Sequence, residues 1–260
     1  FELSFKLKRT AYHYGLLATT RYPIPLIIVD GITVNGIEKS ALTVWLVNFL
    51  SSNGLRPAVI TCSYSDNYQE FPTEVTTSSD KTQVGDNALF LAFHCSKQNC
   101  PVWIGQDSST VGLDLLKANP DRNVLICDGG LHDYRLHRDL EILVLDTDKY
   151  YFGNGFTLPA GPLRDNLTRL NFADAIVLNE KNRQSFDQVD SSKIYYVKTN
   201  SSEFINHYHT SDHLKKITTT GQKSHAIASN RFSRRFYDQL SYLNITVSKQ
   251  SILNESQFTK

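Results

Sequence analysis

Short apolar runs bounded by turn residues alternate with segments of helical spacing along most of this chain, and that alternation limits the available folds more than any other feature. Pro23-Ile-Pro-Leu-Ile-Ile-Val-Asp is a β-branched run bounded by prolines and reads as a buried parallel strand. A glycine-containing turn follows. Ser40-Ala-Leu-Thr-Val-Trp-Leu-Val-Asn-Phe-Leu then carries apolar residues at helical spacing, with Ser40 near its start and Gly54 beyond its end. The order recurs: Arg56-Pro-Ala-Val-Ile-Thr-Cys predicts a strand, residues 64–83 a long polar loop, and Asp86 to Cys95 a helix. Pro101-Val-Trp-Ile-Gly reads as a strand and Ser109 to Ala118 as a helix, and Asn123-Val-Leu-Ile-Cys-Asp and Leu140-Glu-Ile-Leu-Val-Leu-Asp read as further strands. Strands and helices in this alternation need crossover connections, so the expected fold is α/β with a parallel, doubly wound sheet flanked by helices.

Beyond Ala173-Asp-Ala-Ile-Val-Leu-Asn the periodicity weakens. Lys193-Ile-Tyr-Tyr-Val and Ser224-His-Ala-Ile-Ala-Ser still read as strands, and Ser233 to Leu243 as a helix. The chain is therefore expected to comprise an amphipathic segment at 1–22, an α/β lobe at 23–172 and a smaller second α/β lobe at 173–260. In the first of these, Phe1, Phe5, Tyr12 and Leu16 sit among Lys6, Lys8 and Arg9, a basic amphipathic pattern suited to an anionic lipid surface or to an ordinary docking helix.

Composition removes several classes. Of 260 residues 40% are hydrophobic and 20% charged, enough for a packed core and too little charge for a disordered chain. Twenty-seven Lys and Arg oppose twenty-six Asp and Glu. Bulk charge thus gives no reason to expect a nucleic-acid partner, and an anionic ligand has to be met locally. No run approaches the roughly 18–20 apolar residues of a spanning helix. Four cysteines (Cys62, Cys95, Cys100 and Cys127) are too sparse for a disulfide framework, and Cys95 and Cys100 lack Cys-x-x-Cys spacing, so they read as buried thiols in a reducing compartment. Met is absent even at position 1, from which a trimmed N-terminus is expected.

The first strand-to-helix turn reads Asp30-Gly-Ile-Thr-Val-Asn-Gly-Ile-Glu-Lys-Ser. A phosphate-binding loop needs small residues so that backbone N–H groups can face a polyphosphate, a Lys for the β/γ oxygens, and a hydroxyl for Mg2+. Lys39 and Ser40 meet the last two needs, while Glu38 stands where a glycine would precede the Lys. Asp128 ends a predicted strand, where open α/β sheets bind ligands. Asp86, at a predicted strand-to-helix junction, also reads as a helix N-cap. His132 and His137 read as surface residues, Tyr195-Tyr196 as core or edge-strand packing, and the Gly153 to Pro162 segment as a rigid turn series.

Taken in order, Leu26-Ile-Ile-Val-Asp-Gly-Ile-Thr-Val-Asn-Gly-Ile-Glu-Lys-Ser, Gly54-Leu-Arg-Pro-Ala-Val, Val84-Gly-Asp-Asn-Ala-Leu, Pro101-Val-Trp-Ile-Gly, Asp128-Gly-Gly-Leu-His-Asp-Tyr-Arg-Leu-His-Arg-Asp and Phe152-Gly-Asn-Gly-Phe-Thr-Leu-Pro-Ala-Gly-Pro-Leu-Arg form a distinctive set. The set resembles the tetraacyldisaccharide 4'-kinases of lipid A biosynthesis, whose pattern runs GNxTVGGTGKT, GLRPxVxxRGYG, VGDEP, PVxVGxDR, DDGLQHxxLxRD and GNGxLLPAGPLRE. The resemblance covers residues from about 8 to 258 and implies a P-loop-type fold with two lobes. It also implies a peripheral protein at the cytoplasmic face of the bacterial inner membrane that transfers the γ-phosphoryl of MgATP to the 4' hydroxyl of a tetraacyldisaccharide 1-phosphate. Position by position, it implies that Lys39 is the phosphate Lys, Ser40 the Mg2+ hydroxyl, Asp86 the base and Asp128 the first carboxylate of DDG and a Mg2+ ligand. Thr33, Asn35, Gly36, Lys39 and Ser40 are then the nucleotide-binding loop, and Arg164 meets a substrate phosphate.

The chain departs from the family at the same motifs. GGTGKT has become Asn35-Gly-Ile-Glu-Lys-Ser, the Glu of VGDE is Asn87, the second Asp of DDG is Gly129, and RGYG is Cys62-Ser-Tyr-Ser. Where the late DHH motif should follow Asn230-Arg-Phe-Ser-Arg-Arg-Phe-Tyr the chain reads Leu253-Asn-Glu-Ser, and the terminal TTEKD stretch is missing. Asp212-His213 precedes the matching segment and reads as a chance match. Two function classes follow: the lipid kinase of the resemblance, or a non-catalytic relative that keeps the fold and has lost ATP turnover.

Overall fold

The computed structural model describes residues 8–12, 14–33, 38–62, 72–145, 152–179, 190–197, 224–229, 236–237, 240–241 and 245–253. Among these, the strands are β1 (Leu26–Asp30), β2 (Pro57–Cys62), β3 (Thr73–Val75), β4 (Val102–Gly105), β5 (Val124–Asp128), β6 (Leu140–Leu145), β7 (Ala175–Asn179), β8 (Ile194–Val197), β9 (Ser224–Ser229) and β10 (Val247–Leu253). The longer helices are α1 (Glu38–Ser52), α2 (Lys81–Cys95) and α3 (Ser108–Ala118).

β1 to β8 form one sheet in the order β3-β4-β2-β5-β1-β6-β7-β8. Every pairing in it is parallel except that of β3 with β4. Both β1 and β5 are buried along their whole length, which is why they read as continuous apolar runs rather than alternating ones. Successive side chains still serve opposite faces. Ile27 and Val29 pack with Leu46 and Val47 of α1 and Leu91 and Ala92 of α2, whereas Leu26 and Ile28 pack with Val111 and Leu115 of α3 and with Tyr22. A third cluster joins Leu143 and Leu145 of β6 to Ile176 and Leu178 of β7, together with Ile32, Leu131 and Leu163.

Three expectations change. β3 lies inside the stretch read as a loop at 64–83; three residues on a sheet edge carry too short a pattern to stand out, and residues 63–71 lie outside the described ones. The helix expected from Asp86 begins at Lys81, where the Asp80 side chain accepts from the Thr82 N–H at 2.8 Å, so Asp80 supplies the N-cap. It is interrupted at Gly85 (φ 79, ψ 163), a conformation that favours glycine. Finally, β7 and β8 fall within the span assigned to the smaller lobe but continue the large sheet, because Ile142 to Leu145 of β6 pair in register with Ala175 to Leu178 of β7.

Residues Phe1–Thr199 and Asn200–Lys260 make two compact units. In the second, β9 and β10 pair in parallel, and Ala226, Leu240 and Ile245 form a small core. Of the helix expected at 233–243, residues 236–237 and 240–241 are described and are helical. Within the first unit, residues 8–12 are helical, Arg9 lies 4.2 Å from the centre of the Phe172 ring, and the Tyr12 and Tyr134 rings are 6.4 Å apart. The Tyr22 hydroxyl donates to the Ser108 carbonyl at 2.6 Å, fastening this segment to α3. Residues 1–7 lie outside the described ones.

Candidate active site at the C-terminal edge of the sheet

Because β1, β5 and β2 are neighbours and parallel, their C-terminal ends share one edge, with Val29 paired to Asp128 and Thr61 to Asp128. Asp30 and Asp128 are therefore both delivered to that edge, and both are buried. Asp30 accepts from the Gly31 N–H at 2.8 Å and from the Leu131 N–H at 3.0 Å, tying the turn after β1 to the turn after β5. The second turn passes through Gly129 (φ 104) and Gly130 (φ 88), both in the region where a side chain is strained. A Cβ at Gly129 would lie 3.3 Å from the Lys39 Nζ.

Asp128 is the centre of the arrangement. One carboxylate oxygen accepts the Ser40 hydroxyl at 3.0 Å and the Asn87 amide at 2.6 Å; the other accepts the Thr43 hydroxyl at 3.1 Å. The Lys39 ammonium stands 4.0 Å from the first of these oxygens, and the Thr61 hydroxyl donates to the Asp128 carbonyl at 3.3 Å. Ser40 also donates to the Asn87 side-chain oxygen at 2.6 Å. The first two turns of α1 supply Lys39, Ser40 and Thr43, since residues three and four apart share a helix face. Thus α1, α2 and β5 converge on one carboxylate.

Of the site residues expected from the sequence, the structure brings Lys39, Ser40 and Asp128 together. Asp86 is placed differently. Its carboxylate pairs with Lys81 at 2.9 Å and is 77% exposed, while the adjacent Asn87 turns to Asp128. The interruption at Gly85 sets that orientation, and a reading of Asp86 as the N-cap put the helix start too late. Thr33 is buried and bridges to Leu163, and the Arg164 N–H donates to the Ile32 carbonyl at 2.7 Å. Backbone pairing thus carries Arg164, which is exposed, to the loop after β1. Asn35 and Gly36 lie outside the described residues. The sequence alone does not mark Thr43 and Asn87 as site residues. Thr43 could have been found by helical spacing from Lys39, but the role of Asn87 needs the packing of α2 beside α1.

Behind this edge runs a network of buried charges. The Arg169 guanidinium meets Glu141, which also accepts from Arg138 at 3.0 Å, and Arg169 approaches Asp165 at 3.9 Å. His132 is not a free surface residue: it lies 3.5 Å from Asp165. Burial pushes the Asp165 carboxyl up, but hydrogen bonds from His132 and the Asn166 N–H, with the charges of His132 and Arg169, outweigh it and hold the group below its usual range. Burial likewise raises Asp133, and the Arg135 guanidinium and Ser108 hydroxyl overcome it to leave that carboxyl lowered too.

Ser40 and Asp128 are hard oxygen donors of the kind that hold Mg2+ beside a phosphate, so these residues fit that ion. Among the described residues no group of three or more His, Cys, Asp or Glu is placed to hold a metal. Waters and ligand phosphates would complete such a shell, as is usual for this ion. Among the described residues no helix is long and apolar enough to cross a membrane.

A parallel sheet with a Lys-Ser pair opening the helix after β1 and a carboxylate ending the neighbouring β5 defines a P-loop kinase-like α/β protein. The fold is also that of the crystal structure of the "apo" form of LpxK from Aquifex aeolicus in complex with ATP. The two agree with a TM-score of 0.79 at 21% identity, over 98% of this chain and 78% of the other. The family pattern described as tetraacyldisaccharide-1-P 4'-kinase matches residues 1–260, and the chain belongs to that family. Proteins named tetraacyldisaccharide 4'-kinase are similar along most of the chain. That of Nitrosomonas europaea is 36% identical over 93% of this chain and 61% of its own length, and that of Nitrosomonas eutropha is 34% identical over 99% and 65%. The Nitrosococcus oceani protein is 36% identical over 95% and 69%. The chain thus spans less than two thirds of the length of the two Nitrosomonas relatives.

Proposed function

We propose that this chain carries the phosphoryl-transfer site of a tetraacyldisaccharide 4'-kinase, moving the γ-phosphoryl of ATP to the 4' hydroxyl of a tetraacyldisaccharide 1-phosphate in lipid A biosynthesis. The observation that carries the reading is the meeting of Lys39, Ser40 and Asp128 at the sheet edge, in a chain of this family. In this reading the Lys39 ammonium faces the β and γ oxygens, and Ser40 with Asp128 holds Mg2+, which supplies charge neutralisation on the transferring phosphoryl. Thr33, Asn35 and Gly36 belong to the nucleotide loop, and Arg164, carried beside that loop by its backbone bond to Ile32, meets a phosphate of the acceptor. Asp86 is the base: its exposed carboxylate is open to a substrate hydroxyl once the Lys81 pair gives way.

The acceptor is a lipid, so the protein works at a membrane surface, the cytoplasmic face of the bacterial inner membrane. Tyr14 and Leu16, 74% and 77% exposed beside the docked helical turn at 8–12, are suited to the headgroup boundary. No nucleic acid is involved. The test is transfer of label from γ-labelled ATP to tetraacyldisaccharide 1-phosphate in mixed micelles, with Lys39→Ala and Asp128→Asn as controls. Transfer by the wild type that both variants lose supports the reading, and transfer that survives both variants overturns it.

A second reading is a non-catalytic relative. Two observations favour it: neutral donors from Ser40, Thr43 and Asn87 already occupy Asp128, and the base of the first reading is paired elsewhere. MgATP binding without any transfer supports this alternative.

A further inference from the structure

Cys95 and Cys100 are five residues apart in sequence, and the end of α2 folds them onto each other. The Cys100 N–H donates to the Cys95 carbonyl at 3.2 Å and the Asn99 N–H to the Ser96 carbonyl at 3.0 Å, with Asn99 in the left-handed region (φ 50). These two bonds are those of a Schellman motif, in which the first and last residues of the closing turn place their side chains in contact. That contact is ordinarily apolar. Here it is made by two thiols, free and buried in the same core cluster. The Cys100 thiol also donates to the Pro101 carbonyl at 3.8 Å. The backbone bond that closes the turn between them keeps the two residues close, as a disulfide requires.

We propose that Cys95 and Cys100 are a two-electron redox pair that closes to an intramolecular disulfide on exposure to a hydroperoxide. The pair is asymmetric. The bond to the Pro101 carbonyl keeps the proton on the Cys100 sulfur, and no such acceptor holds a proton on Cys95 among the hydrogen bonds of the described residues. Cys95 is therefore the attacking sulfur. Its thiolate attacks the terminal peroxide oxygen, the O–O bond breaks, and the departing hydroxide or alkoxide takes up a proton as water or alcohol, leaving a sulfenic acid on Cys95. The Cys100 sulfur then attacks the Cys95 sulfur, the S–O bond breaks, and the Cys100 proton leaves with hydroxide as water. Two thiols and one hydroperoxide are thereby converted to one disulfide, one water and one water or alcohol. The turn at 96–99 that joins the pair is at the surface, with Ser96, Lys97 and Asn99 exposed, so local opening of this helix end is the route for a small oxidant. Closure would fasten the end of the helix that presents Asn87 to Asp128.

The test treats the whole chain with hydrogen peroxide, then denatures, alkylates and maps the peptides. The expected result is a 95–100 cross-link lacking two hydrogens and reversed by dithiothreitol, with Cys127 still alkylated. Alkylation of both Cys95 and Cys100 after peroxide, or their pairing with Cys62 or Cys127, overturns the proposal. In Cys100→Ala, dimedone should trap a sulfenic acid on Cys95; trapping in Cys95→Ala on Cys100 instead overturns the assigned order. Phenylarsine oxide, which needs two adjacent thiols, tests the pair in the native wild type even where a variant does not fold. It should bind the native wild type one to one and at least on the order of 10²-fold more tightly than it binds either single variant that folds. Failure to bind the wild type counts against the pair.

Discussion

The side-chain amide of Asn87 donates to Asp128 at 2.6 Å, so a residue of α2 holds the carboxylate that ends β5. The same amide group accepts the Ser40 hydroxyl through its oxygen, which makes Asn87 the link between α1, α2 and the sheet. Replacing it by Glu, the residue of the family's VGDE motif, removes a donor and sets a second negative charge beside Asp128. The unliganded protein should lose about 1–3 kcal/mol. Two carboxylates facing each other form a cation site, so Mg2+ should restore part of the loss. Melting curves of Asn87→Glu with Mg2+ and with EDTA check this, and a variant as stable as the wild type in EDTA would contradict it.

α1 begins at Glu38. A carboxylate in the first turn stabilises a helix through its dipole, but the same dipole is what an anionic ligand uses. A unit charge about 4 Å from a phosphate is worth roughly 4 kcal/mol at an effective dielectric near 20. Glu38→Gly is expected to tighten MgATP binding at some cost in helix stability, and adding Lys39→Ala should return affinity to the wild-type level. Calorimetric titration of the three proteins decides it; no gain from Glu38→Gly would show that this position does not limit binding.

Gly112 of α3 faces the Tyr22 ring, and a Cβ there would come within 2.4 Å of it. Gly112→Ala should therefore destabilise the fold by about 1–3 kcal/mol despite the better helix propensity of alanine. Tyr22→Phe removes the hydrogen bond to Ser108 and should cost about 1 kcal/mol. Denaturant melts of both variants test this, with a stabilised Gly112→Ala as the contrary result.

Asp165 and Asp133 both have carboxyls lowered in the folded chain from an ordinary 3.8. A group lowered on folding contributes stability that is present above its unfolded pKa and lost as pH falls through the folded one, because the unfolded chain binds the proton first. Stability should thus fall on acidification below about pH 4. Asp165→Asn should be less stable at neutral pH and show a shallower acid decline; an unchanged slope would mean that the pair with His132 does not govern it.

Local pattern was enough to determine much of this protein. Residues 26–29 and 124–127 are buried on both faces, so they had to be uniformly apolar, and that uniformity, broken only by the aspartate that ends each strand, is visible without a structure. Lys39 and Ser40 are adjacent in sequence and open the helix that follows the first strand, so their place was legible as well. The tertiary structure decided what depends on distant partners. β3 is a strand only because the edge of β4 is there to pair with it. Asn87 acts on Asp128 because α2 packs beside α1, and Asp86 turns away because the backbone breaks at Gly85. Cys95 and Cys100 lack a recognisable spacing, yet the Schellman turn joins them. Periodicity records which face of an element is buried, whereas a contact between elements is fixed only when packing chooses which faces meet.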